Sequence, residues 1–187
     1  MKKILLLVCL AVVSYSQEII SSGEVLVNGQ GITKGQVIKQ GDTVETKSKS
    51  TVRFNIGKDA FSAQANTKFQ LQKLGTKRIL NVVNGGVIAV FGGGNHGIST
   101  PNMTAGIRGT GTYTLVRDSK TYFCTCYGET EVGANGHTKD LKATHHNMVW
   151  ITDTKIKPTM DMEEHTDAEL RELEAMVGRD VPASFKL

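Results

Sequence analysis

Hydrophobic and polar positions alternate with a period of two over much of the chain. In Thr51-Val52-Arg53-Phe54-Asn55-Ile56 the apolar residues Val52, Phe54 and Ile56 fall on one side and Arg53 and Asn55 on the other, which is the pattern of a half-buried strand. Lys68-Phe69-Gln70-Leu71-Gln72 repeats it. Glu24 to Val27 runs into Asn28-Gly29, a tight-turn pair. Gly35 to Ile38, Thr43 to Thr46, Arg78 to Val83, Val87 to Phe91, Thr110 to Val116, Thr121 to Tyr127 and Met148 to Thr152 read as further strands. Nineteen of the 20 glycines lie between Gly23 and Gly136 and punctuate these segments. No 3.6-residue stripe interrupts them, so an all-β fold is predicted up to about residue 152: a sandwich, a barrel or a β-helix-like stack.

The texture changes after Pro158. Thr166-Asp167-Ala168-Glu169 is a capping box, with Thr166 as N-cap and Glu169 at N3. Leu170, Leu173 and Val177 follow on one helical face beside Met176, and Gly178 supplies the stop. One C-terminal α-helix of roughly twelve residues is expected. Its single apolar stripe must dock, and the β domain is the expected surface.

The start of the chain has a different pattern. Met1-Lys2-Lys3 precedes an unbroken apolar run from Ile4 to Val13, and Ser14-Tyr15-Ser16 offers small residues for cleavage. This is the layout of a secretory signal peptide, and the run is too short to span a bilayer. The expected organisation is a signal peptide over 1–16, a β domain over 17–152, and a linker with a helical tail over 153–187. The expected compartment is periplasmic or secreted, without stable membrane insertion after cleavage. Cys9 leaves with the leader, so Cys124 and Cys126 are the two cysteines expected in the mature chain.

Composition adds exclusions. The chain has 187 residues, 39% hydrophobic and 21% charged, a balance that builds a core. The formal charge of +4 is dispersed, and without a Lys/Arg block nothing argues for nucleic acid. There is no G-x-S-x-G, H-E-x-x-H or S-x-x-K pattern, and no acid–base pair is marked, so a catalyst is not expected. Gly92-Gly93-Gly94-Asn95-His96-Gly97 matches G-x-G-x-x-G. A dinucleotide site needs a helix next, whereas Ile98-Ser99-Thr100-Pro101 predicts a loop or hairpin end. Gly106 to Gly111 around Arg108 reads as a bend in a strand with Arg108 paired internally, or as an anion nest.

Tyr122-Phe123-Cys124-Thr125-Cys126-Tyr127 is the segment with most chemistry. In a strand, Cys124 and Cys126 share one face with Cα atoms ~6.6 Å apart, a strained geometry for a mutual disulfide. His145-His146 lies just before the strand Met148 to Thr152, and a hairpin would bring imidazole to the sulfurs. Two thiolates with imidazoles suit zinc, or copper in its soft +1 state. Cys124, Cys126, His145 and His146 are therefore the candidate metal ligands, with His137, Met148, Met160, Met162 and His165 as weaker donors. Two readings stand beside this one: small residues buried in a β core, and a redox-active or strained disulfide pair.

The order of several segments resembles the FecR-domain family. These are Gly23 to Gly29, Lys39-Gln40-Gly41-Asp42-Thr43-Val44-Glu45-Thr46, Ser50-Thr51-Val52-Arg53-Phe54, and Ser99-Thr100-Pro101 followed by Ala105-Gly106-Ile107-Arg108-Gly109-Thr110. The resemblance covers roughly residues 23–133. It implies an extracytoplasmic all-β domain used for sensing and protein contact, with an envelope protein or a small ligand as partner. The family's founding members are membrane-spanning regulators of sigma factors. No apolar run here reaches spanning length, so only the periplasmic module carries over.

Overall fold

The computed structural model describes residues 17–153 and 155–185, and the leader expected at 1–16 lies outside the described residues. Among the described residues fourteen strands precede one helix: β1 (Ile19–Ser22), β2 (Val25–Val27), β3 (Gln30–Gly31), β4 (Thr43–Thr46), β5 (Thr51–Ile56), β6 (Asp59–Ala63), β7 (Lys68–Leu74), β8 (Lys77–Val90), β9 (His96–Thr100), β10 (Met103–Arg117), β11 (Lys120–Ala134), β12 (His137–Ala143), β13 (Asn147–Ile151), β14 (Ile156–Thr159) and α1 (Asp167–Met176). All-β with one C-terminal helix is thus the observed class. The strands form one open sheet whose main path runs β14-β13-β11-β10-β9-β8-β7-β4-β2-β3.

Three long strands fold this sheet into two layers. The first half of β8 pairs with β7, and its second half with β6 and β10. The first half of β10 pairs with β9, and its second half with β8. β11 begins against β13 and ends against β12. The strands change partners near Gly85, near the irregular register between Arg108 and Thr112, and near Gly128. The segments predicted at 78–83 and 87–91 are therefore one bent strand. The bend expected around Arg108 is present, but Arg108 is exposed rather than paired internally. Gly92 to Gly97 leads into β9 and not into a helix, which removes the dinucleotide reading.

Alternation now sorts the side chains. Phe54, Phe61, Phe69, Phe91, Phe123 and Val149 lie between the layers, with Phe54 stacked on Phe61 at 5.3 Å and on Phe69 at 6.2 Å. Ile88, Val90, Tyr113, Leu115, Tyr122, Cys124 and Cys126 belong to a second cluster on the opposite face, together with Leu170, Leu173, Val177 and Phe185. That face is covered by the C-terminal segment, and α1 packs against β5, β6 and β8. Among the described residues, no helix is long and apolar enough to cross a membrane.

The helix ends follow their local chemistry. Thr166 accepts from the Glu169 amide while the Glu169 carboxylate accepts from the Thr166 amide, completing the box. At the other end the Arg179 amide donates to Glu174 O, and the Gly178 amide to Ala175 O. Gly178 sits at φ +69°, the left-handed position that lets a Schellman motif close. The helix has 10 residues. Thr166→Ala is expected to cost about 1 kcal/mol, read as a lower urea midpoint with an unchanged slope. A loss below about 0.2 kcal/mol would mean that the cap carries no load.

Candidate functional site

Cys124 and Cys126 lie in the first half of β11, opposite Met148 of β13 and Tyr113 of β10 at Cys124. Their period-two spacing points both thiols out of the inter-layer core and towards the C-terminal segment. Both are buried and unbridged, with Sγ atoms 3.5 Å apart.

His146 reaches them from the turn before β13. Its backbone adopts φ +46°, unusual for a side chain of this size, and its amide donates to Cys126 O at 2.9 Å. The turn is thereby pinned to the strand that carries the sulfurs. His146 Nδ1 is 3.2 Å from Cys124 Sγ. His165 arrives from the opposite direction, one residue before the helix cap. Its ring stacks on Tyr113 at 4.5 Å, and its Nε2 lies 3.4 Å from His146 Nδ1. One donor atom from each of Cys124, Cys126, His146 and His165 lies within 4.8 Å of all the others.

Outer partners orient the two rings. His146 Nε2 is 2.8 Å from Asp167 Oδ1 and His165 Nδ1 is 2.5 Å from Glu163 O. A carboxylate and a carbonyl only accept, so each of these nitrogens carries the proton. In the neutral rings Nδ1 of His146 and Nε2 of His165 are then the nitrogens without a proton, and both face inward. His145 does not join the thiols: its Nε2 binds Asp167 Oδ2 at 3.0 Å and its ring packs on His146 at 4.4 Å. It supports His146 through the shared carboxylate.

The electrostatics follow from this crowding. Burial works to raise the Cys124 thiol, but hydrogen bonds from Cys126, His146 and His165 outweigh it and hold Cys124 well below the usual thiol range. Cys126, fully enclosed and beside that thiolate, is pushed up. Burial works to lower His146, while Cys124 and Asp167 together raise it. Asp167 is held below the usual carboxylate range, because its bonds to His146 and His145 outweigh its partial burial. The pocket therefore favours negative charge on sulfur and positive charge among the sulfurs and rings.

Three of the four residues proposed from sequence, Cys124, Cys126 and His146, meet in this cluster, and His165 takes the fourth position. Met148 is buried near Cys124, whereas His137 is exposed and Met160 and Met162 project outward. The signal for His165 was its place directly before the capping box of a helix that had to dock. A second polar cluster had no sequence signal. Asp59 accepts from the Gly92 amide at 2.8 Å, lies 3.0 Å from His96 Nε2 and 3.3 Å from Arg78 Nη1. This arrangement neutralises a buried carboxylate between the layers and opens onto only a ~10 Å³ void.

The sequence matches no protein-family model and no curated protein. The fold matches two crystal structures, at 1.65 and 2.50 Å resolution, of a "putative anti-sigma factor" from Parabacteroides distasonis ATCC 8503. The TM-scores are 0.58 and 0.57 at 11% identity, over 69% of this chain and 64% of that chain. The chain thus spans somewhat less than two thirds of the protein it matches. The likeness is one of fold.

Proposed function

We propose that this chain is an exported, non-catalytic sensing and binding module of the FecR kind, and that its thiol–imidazole site holds one soft metal ion, zinc or copper. The tripartite start of the chain supports export. The fold shared with an anti-sigma-factor structure and the ordered FecR-like segments support a regulatory module that contacts an envelope protein. The absence of any recognisable acid–base or nucleophile arrangement in the sequence supports binding over catalysis.

The observation that carries the metal reading is the shape of the four-donor cluster. A tetrahedral ion with Zn–S ≈ 2.3 Å and Zn–N ≈ 2.0–2.1 Å has edges of about 3.8 Å between sulfurs, 3.5 Å between sulfur and nitrogen, and 3.3 Å between nitrogens. The corresponding separations are 3.5, 3.2 and 3.4 Å. The inward lone pairs of His146 and His165 face each other across the last of these edges. A proton on His146 can satisfy one edge, to Cys124. Cys126 then has only its donation to Cys124, 3.5 Å from Sγ and 4.0 Å from the carbonyl oxygen, and His165 Nε2 only the 3.4 Å approach of His146 Nδ1, whereas a single cation serves all four. Asp167 behind His146 and the Glu163 carbonyl behind His165 complete the outer supports usual for metal-bound histidines.

The test is metal content with thiol titration, on full-length mature protein purified without a histidine tag. Wild type is expected to retain about one zinc or copper ion per chain after dialysis, with both thiols unreactive until a chelator is added. Cys126→Ser is expected to retain less than about a tenth of that ion, as direct ligands are costlier to lose than the outer supports worth 10–100-fold. Metal at trace level in wild type, or an intact Cys124–Cys126 disulfide in the metal-free protein, overturns the reading.

A further inference from the structure

We infer, on the reading that the site holds a metal, that the ion is a clasp: it keeps the C-terminal segment docked on the outer face of the sheet, and its loss releases that segment. The ligands come from two parts of the chain. Cys124 and Cys126 belong to β11, and His146 is tied to the same strand through Cys126 O. His165 alone comes from the segment after β14, one residue before Thr166 caps the helix. Three ligands are therefore built into the sheet, and the fourth belongs to the tail, next to the ties that Glu163 makes with Tyr122 and Glu164 with Gln64 and Arg117.

The other polar ties of the tail are single hydrogen bonds, from the Glu163 amide to Tyr122 Oη, Gln64 Nε2 to Glu164 O, Tyr127 Oη to Glu174 and Arg179 to Lys58 O. A 10-residue helix is too short to persist alone in water. Arg53–Glu172 and Arg117–Glu164 are ion pairs at the surface, where water and salt weaken them. Leu170, Leu173 and Val177 do bury their side chains, so the apolar stripe chooses the docking face. Docking by that stripe also forces His165, 3% exposed, into the pocket. There its Nε2 lone pair meets the Nδ1 lone pair of His146 at 3.4 Å. With the ion bound, both lone pairs are donors to one cation and docking is favoured. Without it, His165 Nε2 keeps only the long 3.4 Å approach to His146 Nδ1 and its place beside Cys124, a weaker hold than a shared cation. The link is strengthened from the other side of His146, because Asp167, the first residue of α1, accepts from it.

Release would uncover Ile88, Tyr113, Leu115 and Tyr122, which the tail now covers. The site then has the logic of a sensor: metal occupancy is converted into a docked or an undocked helix, and so into a closed or an open aromatic face.

The experiment is hydrogen exchange on full-length mature protein, zinc-loaded and then stripped with a chelator under reductant, with zinc measured on the same samples. Amides of 170–177 are expected to exchange at least tenfold faster in the stripped protein, while amides of β5, β8 and β10 change less than about twofold. Trypsin cleavage after Arg171 should accelerate in parallel, and added zinc should reverse both. In His165→Ala kept in excess zinc the helix amides are expected to exchange as in stripped wild type whether or not the ion is retained, because the remaining ligands all belong to the sheet side. Unchanged helix protection after zinc has demonstrably been removed overturns the clasp and leaves the metal site standing. So does full helix protection in His165→Ala. Loss of protection throughout β5, β8 and β10 on stripping would make the ion a support of the whole domain and also overturns the clasp. Wild-type protein that retains neither zinc nor copper overturns the metal reading itself.

Discussion

Leu173→Ala is expected to lower unfolding free energy by about 2–5 kcal/mol, one of the largest single losses available to this chain. Leu173 is 0% exposed, as is Leu170 one turn before it. Both lie in the cluster that joins α1 to Ile88, Val90 and Tyr113. Removing three carbons there forfeits their transfer from water and leaves a void that a β-sheet face, held by its ladder, collapses into only partly. The measurement is urea unfolding with bound metal held constant, since an ion that binds only the folded chain contributes to apparent stability. Glu172→Ala on the neighbouring surface position is the control. Its pair with Arg53 is solvent-facing and should be worth no more than about 1 kcal/mol. A loss below about 0.5 kcal/mol for Leu173→Ala, within the range of an ordinary surface change, would mean that the tail is not anchored where it lies.

That helix was legible because its signals are local. The capping box, the stripe and the stop at Gly178 all sit within thirteen residues, and each is bound to a backbone feature of the helix itself. The same-face placement of Cys124 and Cys126 was legible for a similar reason, since a strand's period of two needs no partner to be read. What was hidden depends on partners. β6 is buried along its whole length, on both faces, so Asp59 to Ala63 shows no alternation. β3 and β14 are short, and exposed or nearly so, and are strands only because a neighbour pairs with them. Gly35 to Ile38, expected as a strand, forms none, because the Gln17 side chain takes both backbone groups of Ile38. The choice of His165 over His145 is of the same kind. It rests on the left-handed turn at His146 and on the direction from which the tail returns, neither of which is written in the spacing of the histidines.

Gly128→Val is expected to cost about 2–6 kcal/mol, the sum of a strained backbone and an overpacked neighbour, and, on the proposed metal reading, to take the ion with it. Gly128 stands two residues after Cys126, where β11 leaves β13 and turns to pair with β12. Its φ is +89°, and a Cβ there would fall 2.7 Å from the backbone oxygen of Gly109 and 2.5 Å from Thr110 Cγ2. Neither can yield easily, since both belong to the matching bend in β10, where Gly109 itself sits at φ +59°. Two conformations therefore have to agree for the long strands to cross between layers, and that crossing turns the thiols outward to meet His146 and His165. Gly136→Ala separates the two costs. Gly136 also has a positive φ, +73°, but a Cβ added there would meet nothing within 4 Å. Only backbone strain applies at that position, and about 1 kcal/mol is expected. Chemical unfolding of both variants with parallel metal analysis decides the matter. A Gly128→Val protein as stable as Gly136→Ala, with its metal retained, would show that the crossover tolerates a side chain and is not what aims the cysteines at the site.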